Sequence, residues 1–102
     1  MGTTNFNSLA PAGYQAISAT SSTAVACTVP TPTAPGTVAN SALFVCETNA
    51  ARWRDDGTDP TAAVGTPLAA GQALDYDGRL SAIRFISQAG TTTVHANYYR
   101  NA

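Results

Sequence analysis

Turn-forming residues interrupt this chain about every ten residues, and that spacing narrows its fold more than any other feature. Pro11 and Gly13, the run Pro30-Thr31-Pro32-Thr33-Ala34-Pro35-Gly36, Asp56-Gly57, Ala69-Ala70-Gly71, Asp77-Gly78 and Ala89-Gly90 leave only short stretches between them. Those stretches read as strands: Tyr14–Ala19, Thr23–Val29, Ser41–Glu47, Ala51–Asp55, Gln72–Tyr76, Leu80–Ser87 and Thr92–Tyr99. Side chains alternate across a strand, so Val25, Cys27 and Val29 share one face. Likewise Val94, Ala96 and Tyr98 oppose Thr93, His95, Asn97 and Tyr99. Ser41–Glu47 is apolar on both faces, as in a central strand. Thr58–Pro67 reads mostly as loop. No segment sustains a helical apolar stripe, and alanine is everywhere interleaved with Thr, Val, Gly and Pro, which oppose helix.

The expected fold is therefore all-β. It is a single small β-sandwich, jelly-roll-like or barrel domain of about seven to eight antiparallel strands. Residues 1–12 are expected to form an extended N-terminal arm, and residues 13–102 the β domain. An isolated arm would fray, so Phe6 and Leu9 are expected to pack on the domain or dock on a neighbour.

Composition sharpens this. The chain has 102 residues, enough for one domain. Hydrophobic residues make up 44%, but alanine supplies much of that share and buries little area per residue. Small domains with thin cores lean on disulfides, metals or oligomerisation. No metal-ligand spacing is visible, so support from other copies or a larger assembly is expected.

Charged residues are only 11%, the net charge is −1, and all five basic residues are arginine. A protein living on phosphate contacts shows a basic excess, so nucleic acid is not an expected partner. No apolar run approaches the roughly 18 residues that span a bilayer, and a membrane is not expected either. The first residues lack the basic and apolar regions of a signal peptide, which points to synthesis and first use in a cytosol. In that compartment Cys27 and Cys46 are expected as buried, reduced thiols, with a cross-strand disulfide as the alternative.

Residues that could carry chemistry are sparse. His95 is the single histidine, and no Gly-x-Ser-x-Gly elbow supplies a nucleophile. It is expected on a solvated or interface-facing sheet position. Asp55, Asp56 and Asp59 lack calcium-loop spacing and read as turn residues paired with Arg52 or Arg54. Asp75 and Asp77 resemble a glycosidase pair only in composition, since a chain this short has little material for a deep cleft. Neither a cofactor nor a catalytic residue is expected. In Ala51-Arg52-Trp53-Arg54, alternation turns Trp53 inward and both arginines outward. Arginine and tryptophan are typical interface anchors, although a core Trp with two surface arginines explains the pattern equally well.

The run Arg52-Trp53-Arg54-Asp55-Asp56-Gly57-Thr58, then Pro60-Thr61, Val64–Leu68, Ala70-Gly71, Tyr76-Asp77-Gly78, Leu80-Ser81-Ala82 and Tyr98-Tyr99-Arg100, resembles small proteins encoded among the structural genes of tailed bacteriophages. Tyr14–Ala19 and Thr28-Val29-Pro30 are similar to their opening strands. Cys27, Cys46 and the Pro30–Gly36 loop depart from that pattern. The resemblance implies a non-enzymatic virion component, assembled in the host cytoplasm. Its leading form is a capsid decoration (cement) protein bound to the major capsid protein or another virion protein. A homo-oligomer is implied, with a trimer the expected state. A tail, neck or fibre accessory protein is the alternative, and a small carbohydrate-binding module using Trp53, Tyr98 or Tyr99 is a further one. The expected interface residues are Phe6, Leu9, Arg52, Arg54, His95 and Tyr99.

Overall fold

The computed structural model describes residues 9–30 and 38–101. Phe6 and most of the Pro30–Gly36 loop lie outside that range. Eight strands follow in chain order: β1 (Leu9–Thr20), β2 (Val25–Ala26), β3 (Ser41–Cys46), β4 (Ala51–Arg54), β5 (Thr66–Leu68), β6 (Ala73–Tyr76), β7 (Arg84–Ser87) and β8 (Thr91–Asn101). They build two four-stranded sheets, ordered β1-β8-β3-β6 and β2-β7-β4-β5, and every ladder is antiparallel. The pairs β1·β8, β2·β7, β3·β6 and β4·β5 are nested one inside the next and alternate between the sheets. That is the winding of an eight-strand jelly roll, one of the architectures the strand spacing predicted.

Several boundaries differ from the sequence reading. Of the expected strand Thr23–Val29 only Val25–Ala26 pairs, and the expected Leu80–Ser87 shortens to Arg84–Ser87 because Leu80–Ala82 form a turn in which the Ala82 amide donates to the Arg79 carbonyl at 3.0 Å. The first strand begins at Leu9, five residues before Tyr14. Residues 9–12 thus belong to the sheet rather than to an arm, because the far end of the chain gives them a partner: Leu9 pairs with Asn101, Ala10 with Arg100 and Pro11 with Tyr99. Proline is tolerated here because β1 is an edge strand, and the register shifts between Pro11 and Gly13. A further difference is β5, whose Thr66 and Pro67 fall at the end of the stretch expected to be loop. It too is an edge strand carrying a proline, Pro67, and its three residues are too few to show a period.

Burial follows the expected alternation. In β8, Thr92, Val94, Ala96 and Tyr98 point into the sandwich and Thr93, His95, Asn97 and Tyr99 point out. In β3, Ala42, Phe44 and Cys46 are buried while Ser41, Leu43 and Val45 form the half-buried outer row. Phe44 of one sheet meets Phe85 of the other, ring centroids 4.8 Å apart and tilted by 59°. Alanine fills much of the remaining core: Ala39, Ala42, Ala51 and Ala96 all belong to the buried cluster. Such small side chains let the sheets approach but contribute little apolar area, so the larger members of the cluster, Phe44 and Phe85 together with the buried aliphatics and tyrosines, supply most of it.

Both cysteines are free and buried, as the compartment reasoning expected. Cys27 Sγ donates to the Leu80 carbonyl at 3.1 Å, and Cys46 Sγ lies 3.2 Å from the Leu68 and Ala69 carbonyls. Burial pushes both thiols up from their ordinary value.

Phe44→Ala is expected to destabilise the protein by about 3–5 kcal/mol, a large part of the stability of a domain this size. A urea titration followed by tryptophan fluorescence reads this as a lower midpoint. An unchanged midpoint would mean that the Phe44–Phe85 contact contributes little to the core.

Candidate functional site

The expected interface residues do not form one patch. Arg52 and Arg54 lie on the outer face of the β2-β7-β4-β5 sheet, whereas His95 and Tyr99 lie on the outer face of the other. The sandwich turns these two surfaces in opposite directions. Leu9 starts β1, and Phe6 falls outside the described residues.

On the β4 surface, Trp53 packs inward against the core as alternation requires. Its ring meets Tyr76 edge-on, centroids 5.8 Å apart at 73°. The Tyr76 hydroxyl donates to Asp55 Oδ2 at 2.7 Å and to the Arg79 carbonyl at 3.2 Å. Gly78 leaves room for this ring: a Cβ there would fall 2.5 Å from the Tyr76 hydroxyl oxygen. Gly78 thus acts by close approach and not by a positive φ, which Gly57 of the other Asp-Gly turn does adopt.

The two arginines divide their work. Arg54 clasps Asp56, with Nε 3.0 Å from Oδ1 and Nη2 2.5 Å from Oδ2. The guanidinium holds the Asp56 carboxyl below its ordinary value. This is the arginine–aspartate pairing expected from the sequence. Arg52 departs from it and bonds main chain instead, Nε to the Ala62 carbonyl at 3.1 Å and Nη1 to the Gly65 carbonyl at 2.9 Å. Gly65, at φ +142°, brings the loop against β4; a Cβ there would lie 3.1 Å from Arg52 Cβ and 3.1 Å from Pro60 Cβ. Arg52 therefore staples the loop between β4 and β5 to the sheet. Arg84 stands opposite Arg54 across the ladder but turns to the Ser81 and Ile83 carbonyls, which separates the like charges.

Trp53, Arg54, Asp55, Asp56, Val64, Gly65 and Thr66 line an open depression of about 430 Å³. The carboxylates there are committed to Arg54 and Tyr76, so they serve as hydrogen-bonded walls rather than as a cation cage. Among the described residues no group of three His, Cys, Asp or Glu side chains is placed to hold a metal.

The opposite surface holds a cluster that the sequence did not reveal. His95 lies between β1 and β3. Its Nδ1 is 2.5 Å from the Tyr14 hydroxyl, and its Nε2 is 2.6 Å from Glu47 Oε1. The Tyr14 and His95 rings are nearly parallel, 22° apart with centroids at 5.9 Å. Alternation placed His95 outward but gave it no partners, because those lie 81 and 48 residues away in sequence. Only the registers Ala16↔His95 and Val45↔His95 bring them together.

Comparison of the chain with protein-family models, with curated proteins and with solved structures finds no match.

Two outcomes test this surface chemistry. Arg52→Ala should release the loop between β4 and β5, and limited proteolysis should then cut within residues 58–65 well before the parent chain is cut. Arg52→Lys should restore little of the protection, since an ammonium cannot span two carbonyls as the planar guanidinium does. Burial, with the Asp55 carboxylate adding to it, pushes the Tyr76 hydroxyl up from 10.0 to about 12. The unfolded chain loses this proton first, so the stability it represents is intact below pH about 10 and is lost as pH rises toward about 12. Urea midpoints measured across that window should fall less steeply in Tyr76→Phe than in the parent chain.

Proposed function

We propose that this chain is a non-enzymatic structural protein of a tailed-phage virion, most simply a capsid decoration protein that binds the head in many copies. The observation that carries this reading is the outer face of the β1-β8-β3-β6 sheet. Ala16, Ser18, Leu43, Val45, Thr93, Asn97 and Tyr99 are uncharged positions of this face, His95 stands among them between Ala16 and Val45 and is bonded to Glu47 at the end of β3, and Asp75 lies on the edge strand β6. Leu43, Val45 and Tyr99 are already half-buried. Covering such a face with another protein removes apolar area from water and strips few charges of their hydration. The resemblance of Arg52–Thr58 and the later motifs to tailed-phage structural proteins supports the same reading. The jelly-roll winding is compatible with it, since that architecture recurs in viral coat domains, but fold alone names no role.

The expected partner is the major capsid protein or another virion protein, and the expected binding unit is a homo-oligomer, a trimer at positions of local three-fold symmetry. Thin alanine-filled cores gain stability when a neighbour binds only the folded form. A second reading, a small carbohydrate-binding module, is favoured by one feature. The depression beside Trp53 has polar walls from Arg54, Asp55 and Asp56.

Purified protein mixed with phage heads that lack it should bind saturably, and Leu43→Glu on the outer face should abolish that binding while leaving the melting temperature unchanged. Quantitative mass spectrometry of virions gives the copy number. A count of roughly a dozen or fewer would replace head decoration with a tail, neck or fibre role, because those structures carry low cyclic symmetry. Hits on a glycan array that vanish in Trp53→Ala would favour the carbohydrate reading instead.

A further inference from the structure

The geometry points to Tyr14 as a nucleophilic tyrosine, activated by His95 and Glu47, that takes an acyl group from a donor with a good leaving group such as an aryl ester or a thioester. This inference is independent of any virion role. It starts from the tautomer of His95. An ionised carboxylate only accepts hydrogen bonds, so the contact between Glu47 Oε1 and His95 Nε2 fixes the proton on Nε2. In the neutral ring Nδ1 is then the acceptor, and it lies 2.5 Å from the Tyr14 hydroxyl. Hydroxyl, imidazole and carboxylate therefore stand in the order that a nucleophile, its general base and an orienting group require. Each comes from a different place in the sheet: Tyr14 from β1, His95 from β8, and Glu47 from the end of β3, where its amide donates to the Thr93 carbonyl at 2.9 Å. The ladders on both sides of β8 hold the three in register.

Tyr14 is also open to a reagent, with 59% of its surface exposed, the most of any large apolar or aromatic side chain among the described residues. The other tyrosines contrast with it. The Tyr98 hydroxyl is committed to Gln15 Oε1 at 2.8 Å, and the Tyr76 hydroxyl is committed to Asp55 and Arg79. Tyr99 shares the outer face with Tyr14 and is half-buried.

The step balances without a redox partner. The Tyr14 oxygen attacks the acyl carbonyl carbon as its proton passes to His95 Nδ1. The new O–C bond forms, the tetrahedral adduct expels the aryloxide or thiolate, and His95 returns the proton to the leaving group. The product is an O-acyl tyrosine on the protein and the free phenol or thiol. Glu47 does not touch the reacting atoms. It is a positioning residue that holds the ring with Nδ1 toward Tyr14 and stabilises the imidazolium formed in transit.

The test uses the full chain and p-nitrophenyl acetate. Release of nitrophenolate should show a stoichiometric phase, and peptide mapping should place one acetyl group on Tyr14 ahead of Tyr99. Tyr14→Phe should abolish that phase, and His95→Ala should slow it roughly 10²-fold, the ordinary contribution of a positioned base. Glu47→Gln should slow it by a smaller factor, and Glu47→Asp should restore part of the loss. Unchanged far-ultraviolet circular dichroism in all four variants separates these effects from unfolding. A phase that survives in Tyr14→Phe, equal labelling of Tyr14 and Tyr99, or an His95→Ala rate equal to that of the parent chain would each overturn the assignment.

Discussion

The pairing of β1 with β8 is the constraint on which the rest of the structure depends. It runs from Leu9↔Asn101 to Thr20↔Thr91 and so joins the two ends of the described chain along almost its full width. Every other ladder is nested inside that pair. Closing so long a loop is entropically costly, and the nested pairs then close shorter ones. A fold dominated by such non-local contacts is expected to form slowly. The same ladder places Tyr14 beside His95 and makes β1 a long edge, which carries Pro11 and a register shift.

The interior obeys a second constraint, small volume. With alanine at many core positions the sheets must come close, and the few large side chains become decisive. Phe44 and Phe85 bridge the sheets, while Tyr76 and Tyr98 close the core with their hydroxyls turned to polar partners. Burial raises both tyrosine hydroxyls, so alkaline pH bears on the core itself. The two thiols occupy positions where a small apolar group fits and each finds a carbonyl, which explains their burial without a bond between them.

The two outer surfaces diverge in chemistry. The β4 surface uses its charges internally: Arg54 on Asp56, Arg52 on the loop carbonyls, Arg84 on a turn. It is a self-contained surface around a shallow, Trp53-floored depression. The β1-β8-β3-β6 surface carries few charges and presents Leu43, Val45 and Tyr99 beside the Tyr14–His95–Glu47 cluster. Of the two, it has the chemistry of a surface that another protein covers.

Turn spacing and alternation were enough to read an all-β domain of antiparallel strands from the sequence, along with the shared face of Val94, Ala96 and Tyr98, the inward Trp53 and the central character of Ser41–Glu47, but not to choose among sandwich, jelly roll and barrel. These are legible because turn residues and period-two patterns act over a few neighbouring residues. Edge strands were harder to read. Leu9–Ala12 and Thr66–Leu68 contain prolines that argue locally against pairing, and only the sheet-edge position makes them tolerable. The partner of Arg52 was also hidden, since it is a pair of loop carbonyls rather than an acidic side chain. Most of the site chemistry was decided by the tertiary structure alone. Which outer-face residues share a sheet, and whether His95 has partners, depends on strand order and register, and the nested pairing joins residues too far apart in sequence for any local pattern to record them.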